Sequence, residues 1–148
     1  MKRVAIMMIL CAVGVTVLAA PKRVAVFEPA GDVLSQARKM IVVDDVSAVI
    51  VANKSYVAVD RNLTKKLLEE YQTQSQYADE SQLVEMGKFK GADAVCVIMV
   101  IPVGERYYIS IKLVELKTWM VEKQGTIQTT RENISSAIQS VATQLFAR

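Results

Sequence analysis

The chain has 148 residues, with 18 Lys and Arg against 15 Asp and Glu, two cysteines and no histidine. Without imidazole there is no Ser-His-Asp or Cys-His site, no His-ligated metal and no side chain that ordinarily titrates near neutrality. The length suits one domain with a real core.

Lys2 and Arg3 open the chain, and "VAIMMILCAVGVTVLAA" from 4 to 20 is an uncharged apolar run. Val17, Leu18 and Ala19 supply small or apolar residues where a signal peptidase reads, so the pattern predicts a secretory signal peptide, 1–19, cut after Ala19. A cut one residue later would leave Pro21 first, a poor substrate. The alternative is an uncleaved anchor, because the run approaches the ~20 residues that span a bilayer. Met8, Ile9 and Leu10 ahead of Cys11 are too bulky for a lipid-attachment box, so an unlipidated periplasmic protein is expected. Losing Lys2 and Arg3 takes Lys plus Arg from 18 to 16 against 15 acids, so the net charge falls from +3 to +1. That balance predicts no nucleic-acid partner. Only Cys96 then remains. It allows no intrachain disulfide and no cysteine-built zinc site, and its apolar setting predicts a buried, inert thiol.

"KRVAVFEP" (22–29) reads as a first strand closed by Pro29 and Gly31, with Asp32 as N-cap of the helix that follows. That helix carries Leu34, Ala37, Ile41, Val46, Val49 and Ile50. Its second half is β-branched, but Asp44 and Asp45 break the alternation of a half-buried strand. "YVAVD" (56–60) reads as strand two. Leu63, Leu67 and Tyr71 then mark a helical face. The polar loop "QTQSQYAD", containing Tyr77, follows. Asp79 and Gln82 open a short helix lined by Leu83 and Met86, which Gly91 closes.

"ADAVCVIMVI" (92–101) has no polar alternation, as expected of a central strand covered on both faces. Pro102, Val103 and Gly104 read as a turn. In "RYYISIKLVEL", Tyr107, Ile109, Ile111 and Leu113 face one way and Tyr108, Ser110 and Lys112 the other. Lys117 and Thr118 turn the chain into "WMVEKQGTIQT", the last strand. Thr129 with Glu132 reads as a capping box before an amphipathic helix carrying Ile134, Ile138, Val141 and Leu145. The order β-α-β-α-α-β-β-β-α predicts a single α/β (α+β) domain, 20–148: one mixed sheet with helices packed on it. Strands joined through a helix should be parallel, and the last three should form a meander.

The chemistry-bearing motifs are thin. "EMGKF" holds a Gly-Lys, but Gln82 stands where a phosphate loop needs its first glycine. "KTW" lacks any companion Ser-x-x-Lys nucleophile. Asp60 and Arg61, side by side at the end of strand two, are either a charge pair with a role in chemistry or a strand-to-helix joint in which Asp60 caps the free amides.

"YVAVDRNLTKKLLEE", "LVEMGKFKGADAVCVIMV" and "YYISIKLVELKT", in this order, resemble the CsgG family of curli secretion components. The same fold family takes in LpoB-type activators of penicillin-binding proteins and, more distantly, the N-terminal domain of TolB. The resemblance implies the fold, and it implies that Asp60–Arg61 is a structural joint. Such proteins are typically lipoproteins, and curli channels carry long membrane hairpins; this chain shows neither pattern. Where the family usually has Gly after Lys-Thr, this chain has Trp119. The resemblance therefore implies a non-enzymatic binding or assembly module of the periplasm, with no cofactor and no metal. Its partner would be another envelope protein or a second copy. The expected contact residues are Trp119, Met120, Lys117 and Tyr77, with Trp119 either an interface anchor or half-buried against the last helix. The competing expectation is a hydrolase-type enzyme with a carboxylate site, for which Glu28, Asp60 and Glu115 lie near strand ends.

Overall fold

The computed structural model describes residues 20–60 and 91–147. β1 (Lys22–Val26) leads to α1 (Gln36–Ala52) and β2 (Tyr56–Ala58); β3 (Ala94–Val103), β4 (Arg106–Glu115) and β5 (Val121–Thr129) follow, and a 3-10 turn (Arg131–Asn133) leads into α2 (Ile134–Phe146). The signal segment, Arg61, Tyr77 and the two helices expected between Leu63 and Gly91 lie outside the described residues.

One five-stranded sheet runs β2-β1-β3-β4-β5. β1 is parallel to both β2 and β3, and β3, β4 and β5 form an antiparallel meander. This is the mixed sheet that the element order implies. β3 sits in the middle because its residues are apolar on both faces. Ala94, Cys96, Ile98 and Val100 join the larger core with Val24, Val26, Ile109, Ile111 and Leu113, under Val42, Val43, Val46 and Ile50 of α1 and Ile134, Ile138 and Val141 of α2. Val95 and Val97 turn the other way, into a smaller cluster with Ala25, Phe27, Val114 and Leu116. Cys96 is fully buried, and burial pushes its thiol up to about 12.

Four local expectations give way. Ser35, not Asp32, caps α1: its hydroxyl accepts from the Arg38 amide at 3.4 Å. Gly31 has φ +84°, so the approach is still turning when it reaches Asp32. With that start the inward face of α1 is Val42, Val43, Val46 and Ile50; Ala37 and Ile41 point outward, and Leu34 is buried ahead of the helix. Pro102 and Val103 belong to β3, paired with Tyr107 and Arg106, so only Gly104 and Glu105 turn the chain. Thr129 makes no capping box because it still pairs with Tyr107 as the end of β5. α2 is instead introduced by the 3-10 turn, in which the Asn133 amide donates to the Thr130 carbonyl at 3.1 Å. Gly91 has left-handed backbone, φ +65°, and the helix it is expected to close lies outside the described residues.

The C-terminal end of α2 is held from two sides. Asn53 Nδ2 donates to the Phe146 carbonyl at 2.8 Å, and Lys123 Nζ donates to the Leu145 carbonyl at 2.9 Å. Both satisfy carbonyls that a helix end leaves without intrahelical donors.

Candidate functional site

The loop from Leu116 to Met120 joins β4 to β5. The Trp119 amide donates to the Glu115 carbonyl and the Glu115 amide to the Met120 carbonyl, each at 2.9 Å. Thr118 Oγ1 donates to Glu115 Oε2 at 2.6 Å, and Leu116 is buried beneath the turn. This closure puts Trp119 at φ 61°, the one non-glycine residue in left-handed backbone among those described. An L-residue there crowds its own Cβ, at a cost of roughly 1–2 kcal/mol, which glycine avoids. The strained position holds a tryptophan that is 48% exposed, followed by Met120 at 67% and Val121 at 46%. Lys117 is exposed on the same tip.

The base of the hairpin is tied to the start of β1. Leu113 pairs with Lys123 and Val114 with Val121, so Glu122 is the extra residue of a bulge. Lys22 Nζ lies 2.7 Å from Glu122 and 3.1 Å from Glu115, gripping both arms of the hairpin. The Tyr56 hydroxyl donates to Glu122 at 3.3 Å. Hydrogen bonding to Glu122 holds the Lys22 ammonium above its ordinary value. The Thr118 hydroxyl, then Lys22, hold the Glu115 carboxyl below the usual range. Lys123 Nζ stands 5.4 Å from the Tyr56 ring centre and 5.5 Å from that of Phe146, in cation–π range. At the same end of the domain a cavity of about 400 Å³ lies between the ends of α1 and α2, lined by Val49, Ala52, Asn53, Lys54, Thr143 and Phe146 among others.

Of the expected contact residues, the structure brings Lys117, Trp119 and Met120 together on one tip. Tyr77 is outside the described residues. Asp60 is exposed just after β2, and Arg61, its companion, is not described. The three carboxylates proposed for catalysis do not form a set. The register sets Glu115 level with Val24, while Glu28 and Asp60 follow the far ends of β1 and β2. Glu28 accepts from Gln36 Nε2 at 2.7 Å. A general acid needs its carboxyl raised, and Glu115 is moved the other way. No three His, Cys, Asp or Glu residues cluster as metal ligands among the described residues, and no helix there is long and apolar enough to cross a membrane.

The Lys22–Glu122 tie went unseen in the sequence because its partners are 100 residues apart. The bulge left one trace: Glu122 and Lys123 interrupt the alternation of the last strand.

No family model matches the chain, and no curated protein matches it. Solved structures do. The LpoB C-terminal domain from Salmonella enterica superposes with a TM-score of 0.56 at 12% identity, over 78% of this chain and 87% of that one. A lipoprotein from Neisseria meningitidis gives 0.55 at 14% identity, over 74% and 81%. A PelC dodecamer from Paraburkholderia phytofirmans gives 0.50 at 16% identity, over 88% and 92%. At these identities the likeness is one of fold. It supports the LpoB-like limb of the sequence resemblance; the CsgG limb rests on the sequence motifs alone.

Proposed function

We propose that this chain is a non-enzymatic binding module of the bacterial envelope, exported to the periplasm, cut after Ala19 and released without lipid. It docks on another envelope protein through the β4–β5 tip. Trp119 carries the reading: a strained left-handed position holds a large, half-exposed aromatic where glycine would relieve the backbone. Backbone strain persists where the surroundings over-determine it, and it gathers at functional positions. Met120 and Val121 extend the exposed apolar surface, and Lys22 braces the hairpin from below, so the anchor is presented on a rigid support. Three adjoining apolar side chains on one tip suit the centre of an interface, where aromatics and Met are enriched.

The LpoB-like fold and the lipoprotein neighbour support an envelope setting. The PelC neighbour, a dodecamer, supports self-association as the second class of partner. Asp60 and Arg61 belong to the joint after β2 in this reading and take no part in binding.

Crosslinking in the periplasm, followed by mass spectrometry, tests the proposal. A discrete adduct through the tip, together with an intact mass that runs from Ala20 to Arg148, is the expected result. A diacylglyceryl adduct or retained Met1 contradicts the export route. Turnover of a small substrate by the purified monomer contradicts the binding role.

A further inference from the structure

Around the β4–β5 tip the charges are unevenly matched. The carboxylates described there are answered within the chain: Asp93 accepts from the Arg23 amide and side chain at 2.9–3.3 Å, and Glu115 and Glu122 share Lys22. Lys54, Lys117 and Lys123 are different, because none of them pairs with a carboxylate among the described residues. Lys54 and Lys117 are exposed. Lys123 gives its ammonium to the Leu145 carbonyl, so its charge is hydrogen-bonded but not cancelled.

The same end of the domain has a recess as well as a projection. The cavity of about 400 Å³ between the last turns of α1 and α2 is lined by Val49, Ala52, Thr143 and Phe146, with Lys54 beside them. Two contacts link it to the tip. The Phe146 ring meets the Tyr56 ring edge-on at 5.5 Å, and the Tyr56 hydroxyl donates to Glu122, the residue after Val121. The Leu145 and Phe146 carbonyls at the end of α2 are taken by Lys123 and Asn53, so they do not oppose an incoming anion.

On the reading that the tip binds protein, we propose that the partner's surface is acidic. The recess is then the second half of the contact: it receives an apolar side chain of the partner while Lys54 and Lys117 meet carboxylates. Charge complementarity selects this chemistry. A basic partner would set like charge against three ammonium groups that have no counter-ion of their own. An acidic partner supplies the counter-ions, and exposed lysines steer it from a distance. The relief selects protein over an anionic lipid surface. A recess with helix walls next to a projecting Trp119 suits the matching contour of a folded chain, and a fluid headgroup layer has no contour to match.

Trp119 is the chain's one tryptophan, so its emission reports on the tip directly. The probe is an acetylated, amidated peptide of three Glu-Glu-Leu repeats, with three Lys-Lys-Leu repeats as the reversed control. The acidic peptide should change the emission saturably, and the basic one should not. Raising the salt from ~50 to ~500 mM should weaken binding by at least ~10-fold, because screened charges attract less. Lys54→Glu should weaken it by at least ~3-fold through like-charge contact. Ala52→Phe fills the recess from an exposed position and should also weaken it, with the circular dichroism of the folded protein retained in both variants. The tip reading itself is tested by Trp119→Ala against the purified partner, so the two can fail separately. No response to the acidic peptide, an equal response to both, or indifference to Lys54→Glu would each overturn the proposal. So would a blue shift with phosphatidylcholine vesicles carrying ~30% phosphatidylglycerol, which makes lipid the occupant. Emission that shifts with protein concentration alone would overturn it in favour of a second copy.

Discussion

The Trp119 amide reaches the Glu115 carbonyl at 2.9 Å, and closing that turn forces the tryptophan to φ 61°. The first expectation inverts the usual order of substitutions. At most sites alanine stabilises more than glycine, because glycine has more freedom to lose. At position 119 the left-handed backbone penalises any Cβ. Trp119→Gly should therefore be more stable than Trp119→Ala by roughly 0.5–1 kcal/mol. Urea midpoints of the two variants check this; a more stable alanine variant would mean that the turn is not left-handed in solution.

Gly125 admits no side chain. A methyl there would press on Val141 Cγ1 and on Leu145 of α2. Val141 is buried and β-branched, so its methyl has little room to give way. Gly125→Ala should cost about 1–3 kcal/mol, read as a lower denaturation midpoint. An unchanged midpoint would place α2 farther from the sheet.

Cys96 should resist reagents. Its thiol is fully buried, and burial raises it to about 12, so almost no thiolate exists near neutral pH. Labelling by a polar thiol reagent should be slow in the native protein and fast in denaturant. Rapid native labelling would remove β3 from the centre of the sheet.

The ion pairs set the direction of pH dependence. Hydrogen bonds from the Arg23 side chain and backbone hold the Asp93 carboxyl low, and Glu115 is lowered by Thr118 and Lys22. Lowered folded values mean that their stabilisation is present above the unfolded values near ~4 and is lost as pH falls through the folded ones. Lys22 is raised, so its contribution is complete below its ordinary 10.5 and is lost as pH rises through the folded value. Asp93→Asn should accordingly flatten the loss of stability below about pH 4, measured by denaturation across pH. A slope identical to wild type would mean that the Arg23–Asp93 pair is not formed in solution.

What could be read from the chain alone follows the range over which each signal acts. The unbroken apolar run around Cys96 marked the central strand, and the alternation from Tyr107 to Leu113 marked the next one. Both are local patterns that burial directly imposes. Helix starts were less legible. Asp32 and Thr129 both have capping side chains, yet Gly31 keeps the chain turning past one and β-pairing with Tyr107 claims the other. The candidate site was half legible. Trp119 stood out as a tryptophan in a turn where the resembling family has glycine. Its left-handed backbone, and the grip of Lys22 on Glu115 and Glu122, exist only once the meander has folded beside β1.

The central claim is that the β4–β5 tip is a protein-binding surface anchored by Trp119, and affinity for the crosslinked partner tests it most directly. Isothermal titration of that purified partner with wild type and with Trp119→Ala, both checked for folded structure by circular dichroism, gives the comparison. The account predicts a loss of at least ~2 kcal/mol, about 30-fold in Kd, with the fold retained. Equal affinity in a folded Trp119→Ala protein would contradict it, and unfolding of Trp119→Ala would show a core residue in place of an anchor.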